Sequence, residues 1–204
     1  MAPGPADFAV FMGAPLPIVT FDVTSAPPGW DNYVAISATG THCTGCLGPG
    51  AGYDLFRSDG YLATFGASPN ASGNAGTLPR AAPITAAAFS PDDAGYWMVG
   101  ADGGVFAFGD APYEGSLPGD GVSVGDIVGI AATPDGKGYW LVGADGGVFS
   151  FGDAEFYGSA ASGAQAFPMV GIAATPDGKG YWLLGQDGGV FTFGDAPFAG
   201  SGRS

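Results

Sequence analysis

"GKGYWLVGADGGVFSFGDAEFYGS" occupies residues 136–159, and near copies begin at Ala94 and Gly178. The Gly-Tyr-Trp triplet falls at 95–97, 138–140 and 180–182, a spacing of 43 and then 42 residues. A period of this size marks a repeat architecture, in which each unit is one supersecondary element that buries its faces against its neighbours. Regular repeats span 84–126, 127–168 and 169–204 of a single domain, 1–204. A divergent copy is expected over 17–83, because "GYDLFRSDGYLATFGAS" (52–68) aligns 43 residues before "GYWMVGADGGVFAFGDA". Its expected opening strand is "PIVTFDVTS" (17–25), followed by an inserted loop at 26–51. Residues 8–15, "FAVFMGAP", look like a fragment of the "VFAFGDAP" strand and are expected to pair as a strand with the insertion or a blade edge.

Each repeat predicts four short strands. In the central copy these are "IVGIAAT" (127–133), "YWLVG" (139–143), "VFSFG" (148–152) and "AEFYGS" (154–159). The turn "PDGKG" places Pro and Asp for a type I turn, and Asp-Gly in "ADGG" predicts a two-residue hairpin with positive φ angles. Glycine interrupts every window long enough for a helix. In "YWLV", Trp140 and Val142 share one face while Tyr139 and Leu141 share the other, so the strand is apolar on both sides. A sheet buried on both faces must lie between other sheets. The expected fold is all-β: a small β-propeller of four to five four-stranded blades. A β-trefoil is the alternative; the upstream fourth copy argues against it.

Composition agrees with a turn-rich β protein. Apolar residues make up 46% of the 204, charged residues only 12%, and the 39 glycines sit at fixed offsets between apolar runs. The formal charge is −14, from 19 acidic against five basic residues, and the cations are scattered. With no basic patch to neutralise phosphates, nucleic-acid binding is not expected. No apolar run is long enough to span a bilayer as a helix, so membrane insertion is not expected. All the acids except Glu114 and Glu155 are Asp, many beside Gly or Pro, where the side chain closes turns. "MAPGPADFAVFMGAP" lacks the basic start of a signal peptide. Retention in the cell and removal of a leader both stay open on the residues alone.

The phrase "IVGIAATPDGKGYWLVGADGGVFSFGDAEFYGS" resembles a tandem repeat common in secreted and cell-surface proteins of actinobacteria. That resemblance implies an extracellular, non-catalytic module. The order of small residues, strand, Asp-Gly and aromatic-Gly-Asp is also similar to the repeat of the regulator-of-chromosome-condensation family. "TPDGKGYW" and "SPDDAGYW" resemble the sialidase Asp box with the glycine one place late, at Gly138 and Gly95. In those families the box is a structural hairpin element and implies nothing about glycoside cleavage.

Candidate chemistry is sparse. "HCTGC" supplies His42, Cys43 and Cys46, at most three zinc ligands where a structural site takes four. A local Cys43–Cys46 disulfide is the expected reading, with no metal and no cofactor. Asp102, Asp145 and Asp187 recur in the second turn, with Asp59 in the divergent copy, and could form a binding ring of carboxylates. Asp110, Asp153 and Asp195 recur in "FGDA" and read first as structural turn residues. Trp97, Trp140 and Trp182 fall in doubly apolar strands and read as blade core ahead of sugar platforms. The outer-strand aromatics Tyr113, Tyr157 and Phe198 are the expected ligand contacts. Asn70 opens an "NAS" glycosylation sequon. No nucleophile–base pair and no pair of unlike acids is evident, so an enzyme is not expected. The resulting expectation is a non-catalytic binding module outside the cell, recognising a glycan, a cell-wall polymer or a protein partner through inter-blade grooves. Alternatives are a structural component of a virion or surface layer and, behind it, a propeller-type glycoside hydrolase.

Overall fold

A computed structural model describes residues 33–39, 52–65, 73–161 and 167–203, all within the compact unit Asn32–Ser204. It is a β-propeller built from antiparallel three-stranded sheets. The first sheet comprises β1 (Tyr33–Thr39), β2 (Gly52–Arg57) and β3 (Leu62–Phe65). The second comprises β4 (Ile84–Phe89), β5 (Gly95–Gly100) and β6 (Val105–Gly109). The third comprises β7 (Ile127–Ala132), β8 (Gly138–Gly143) and β9 (Val148–Gly152). The fourth comprises β10 (Met169–Ala174), β11 (Gly180–Gly185) and β12 (Val190–Gly194). A 3-10 turn, Ala75–Thr77, is the only helical element among the described residues.

The divergent copy holds a strand where its sequence predicts a loop. Residues 33–39, expected inside an inserted loop at 26–51, form β1 and pair with β2. The reason is visible in the residues: "YVAISAT" matches "IVGIAAT" position for position, including the final Thr. The ladder confirms the equivalence. A β-bulge falls at the second residue of the first strand in every sheet, at Val34, Thr85, Val128 and Val170. The repeat thus carries a local twist as well as a pattern of side chains. "PIVTFDVTS" (17–25), "FAVFMGAP" (8–15), Cys43, Cys46 and Asn70 lie outside the described residues.

The expected fourth strand is not a strand. After β6, β9 and β12 the chain turns at Gly109, Gly152 and Gly194, all at positive φ. It then runs alongside its own sheet without a ladder. Pro112 and Pro197 remove a donor from this segment. Other bonds hold it. The Trp97, Trp140 and Trp182 indole N–H groups donate to the carbonyls of Pro112, Glu155 and Pro197 at 2.7, 2.8 and 2.9 Å. Its far end is tied by Leu117, Ala160 and Gly202 N–H to the carbonyls of Gly103, Gly146 and Gly188.

The hairpin turns also differ from the two-residue form. Gly103, Gly146 and Gly188 have φ of +75°, +82° and +79°, while the Asp before each stays at negative φ. Each N–H of these glycines donates to the carbonyl three residues earlier, giving a four-residue turn closed by a glycine bulge. The core lies between sheets. Trp97, Val99 and Leu117 pack against Ile127, Tyr139, Leu141 and Phe151 of the next sheet. Trp140 and Val142 pack against Met169, Tyr181 and Leu183. Phe56 packs against Ile84, Tyr96 and Met98.

Candidate functional site

The inter-sheet joint is made in the same way three times. Tyr96, Tyr139 and Tyr181, from the middle strand of one sheet, donate their hydroxyls to the carbonyls of Gly73, Gly115 and Gly158 in the preceding repeat, at 2.6, 2.6 and 2.5 Å. Tyr139 and Tyr181 also rest on Trp97 and Trp140 of that repeat, with ring centroids 5.8 and 5.7 Å apart. Burial holds the Tyr139 hydroxyl at a pKa of about 12. Burial, with the Asp54 carboxylate second, pushes Tyr96 further upward. These phenols are therefore neutral structural donors. Trp97 and Trp140 are fully buried, which places them in the core, unavailable for stacking on a ligand.

What the outer segments leave in solvent is a row of rings. Tyr113, Phe156 and Phe198 are 58%, 56% and 62% exposed and occupy the same position in "APYEGS", "AEFYGS" and "APFAGS". Residue type alone puts Tyr157 in this series in place of Phe156. The structure instead places Tyr157 one residue on, at the joint, 5.9 Å from Tyr181, with its hydroxyl donating to the Gly178 carbonyl. Aligning "DAEFYGS" residue for residue with "DAPYEGS" finds Phe156, which a choice of tyrosines by type obscures.

The recurrent carboxylates close turns. Asp102, Asp145 and Asp187 each accept from the N–H two residues on, at Gly104, Gly147 and Gly189, at 3.0, 2.7 and 3.0 Å. Asp187 also pairs with the Arg203 guanidinium. At the opposite end of the strands, Ser90, Thr133 and Thr175 hydroxyls donate to Asp92, Asp135 and Asp177 at 2.8, 3.0 and 3.0 Å. Asp110 sits beside the first of these, 3.4 Å from the Ser90 hydroxyl. Its pKa is raised by burial and by the Asp92 carboxylate, whereas the Ser90 hydroxyl lowers Asp92. Asp153 and Asp195 occupy the Asp110 position in the next two repeats. No group of three or more His, Cys, Asp or Glu side chains suited to a metal occurs among the described residues. Two open depressions lie on the described surface. One is bounded by Ser58, Asp59, Arg80 and Pro83, another by Asp102, Pro118 and Val122.

No protein-family model and no curated protein matches the chain. Solved structures do. Sqt1 from Chaetomium thermophilum, a β-propeller, is 19% identical with a TM-score of 0.51 over 70% of this chain and 40% of that one. The same protein bound to the N-terminus of the ribosomal protein L10 is 18% identical, with a TM-score of 0.52 over 70% of this chain and 42% of that one. The likeness is one of fold. The chain spans about two fifths of the length of the structures it matches.

Proposed function

We propose that this protein is a non-catalytic binding module, displayed at the cell surface or outside the cell, that holds an extended neutral polymer such as a glycan or cell-wall chain. One observation carries the reading: the exposed ring recurs at one position of successive repeats, at Tyr113, Phe156 and Phe198. Singly exposed apolar residues need no explanation, but a periodic series matches a ligand that is itself periodic. Several weak ring contacts add through effective concentration. The net charge of −14 disfavours a polyanion. The turn-closing roles of the recurrent aspartates leave the rings as the better candidates for contact.

The test is binding of the full chain to isolated wall polymer and to a panel of neutral glycans. Tyr113→Ala, Phe156→Ala and Phe198→Ala should each weaken binding about three- to tenfold. The triple variant should abolish it, with melting temperature unchanged because the rings lie outside the core. Binding that survives the triple variant would overturn the proposal. A protein partner is the second reading, supported by the propeller Sqt1 bound to the N-terminus of L10. It would show as capture of a peptide segment in place of polymer. A virion or surface-layer component is the third, supported by the half-buried Trp182 and the exposed Leu184 of the last sheet.

A further inference from the structure

The two oxygens of a hairpin-turn aspartate have different partners. Asp59, Asp102 and Asp187, in the first, second and fourth sheets, use Oδ1 for the turn. It accepts from the N–H two residues on, at Tyr61, Gly104 and Gly189, at 3.2, 3.0 and 3.0 Å. In two of the three, Oδ2 takes a guanidinium. Asp59 Oδ2 accepts from Arg57 at 2.6 Å, and Asp187 Oδ2 accepts from Arg203. The two arginines arrive from different places in the repeat, one two residues before its aspartate and the other 16 after it. What they share is the oxygen they meet, so the turn itself favours a guanidinium there. The lysines are placed elsewhere: Lys137 and Lys179 pair with Asp135 and Asp177 at the opposite end of the strands.

Asp102 has the same turn and no arginine. Gly103 N–H donates to the Gly100 carbonyl as Gly60 N–H donates to that of Arg57. Leu117 N–H donates to the Gly103 carbonyl as Gly202 N–H donates to that of Gly188. Gly100 and Pro118 therefore stand where Arg57 and Arg203 stand in the other two sheets. Among the described residues no side chain bonds to Asp102 Oδ2. The carboxylate instead lines an open depression of about 280 Å³ with Pro118, Gly121, Val122, Ser123 and Val124. That volume is below the range of pockets for drug-sized ligands and suits the end of one side chain. Val122 and Val124 offer apolar surface to the methylene stem of a long cationic side chain. The connection 118–126 adds Asp120 and Asp126 and no cation, so the local field draws positive charge.

We infer that the Asp102 depression binds a guanidinium group, the side chain of an arginine on a peptide or protein partner. The guanidinium takes at Asp102 Oδ2 the place that Arg57 and Arg203 hold in the first and last sheets. Arginine suits the site better than lysine, because a guanidinium is more weakly hydrated and loses less on meeting a half-buried carboxylate. The site uses none of the exposed rings, so it stands or falls separately from polymer binding at Tyr113, Phe156 and Phe198.

NMR titration of the full chain with N-acetyl-L-arginine methylamide tests this. An ion pair open to water is weak, so the titration runs into tens of millimolar. Amide signals of Gly103, Gly104 and Val122 should move and saturate. That of Gly189, beside a carboxylate already paired with Arg203, should not. The citrulline counterpart, similar in shape and uncharged, should bind about tenfold more weakly. Asp102→Asn keeps an acceptor for the Gly104 N–H while removing the charge, and should weaken binding by a similar factor with melting temperature unchanged. Pro118→Arg sets a guanidinium where Arg203 stands and should close the site from within, so that the added compound no longer moves these signals. If Asp102→Asn fails to fold, the citrulline comparison and Pro118→Arg decide. Signals that stay still in the wild type overturn the inference, as do equal binding of the citrulline counterpart and unchanged binding by folded Asp102→Asn or Pro118→Arg. Shifts as large at Gly189 as at Gly104 would mean general attraction to an acidic chain, and the inference would fail on that result too.

Discussion

At Trp140 the ring, the indole N–H and the backbone of the outer segment are one device. The ring lies between two sheets against Tyr181, and the N–H is satisfied by the Glu155 carbonyl. Trp140→Ala removes the filler and the tether together, leaving a cavity and an orphaned carbonyl. It should cost about 3–5 kcal/mol, read from the denaturant midpoint. Trp182→Ala makes the same change where the ring is only half covered, so its cost in the monomer should be clearly smaller. Equal costs for the two substitutions would mean that Trp182 is as buried as Trp140, contradicting its half-buried place in the last sheet.

At the scale of the element, the first turn of each repeat is the best place to see charge acting on stability. Asp135 accepts from the Thr133 hydroxyl, the Lys137 N–H and the Lys137 ammonium. The lysine first, then the N–H, lowers its pKa from an ordinary 3.8 to about 2. Asp177 is lowered in the same direction, chiefly by the Thr175 hydroxyl. A carboxyl with a lower pKa in the folded state stabilises fully above the unfolded value and loses that contribution as pH falls through the folded one. Melting temperature should therefore drop between about pH 4 and about pH 2, and Asp135→Asn should flatten part of that drop. A wild-type curve level across this window would contradict the assignment. These turns are legible in the sequence because Thr-Pro-Asp-Gly repeats. The hairpin turns are legible in place but not in type: only the glycine of Asp-Gly takes positive φ, and dipeptide chemistry does not distinguish the two loops. The outer segment reads as a strand because "AEFYGS" has strand composition, while its bonds come from Trp and Tyr side chains far along the chain. The sequence displaces β1 because "PIVTFDVTS" is richer in β-branched residues than "YVAISAT". The small residues are the better signal, since the first strands crowd together on the inner side.

At the scale of the whole molecule, apolar burial among the described residues is distributed as three joints between four sheets, and no described cluster spans all of them. Stability of such an array is a sum of sheet terms and nearest-neighbour terms. The second and third sheets have a neighbour on each side, and every residue of β5 and β8 is buried. In β11 the pattern is interrupted at Trp182 and Leu184, the residues that turn towards the uncovered side. Opening the last sheet breaks one joint, whereas opening the third breaks two. Amide exchange at low protein concentration should therefore be slowest in Gly95–Gly100 and Gly138–Gly143 and measurably faster in Gly180–Gly185, even though the three ladders have the same hydrogen-bond pattern. Aligning hydrogen bonds alone would predict equal protection, so the difference isolates the contribution of the joint. Met169→Ala, at a buried position in the joint between the third and fourth sheets, should widen the gap by accelerating exchange in β11 while leaving β5 unchanged. Exchange rates that rise together in all three strands would show that the sheets open as one cooperative unit and that the nearest-neighbour account is wrong.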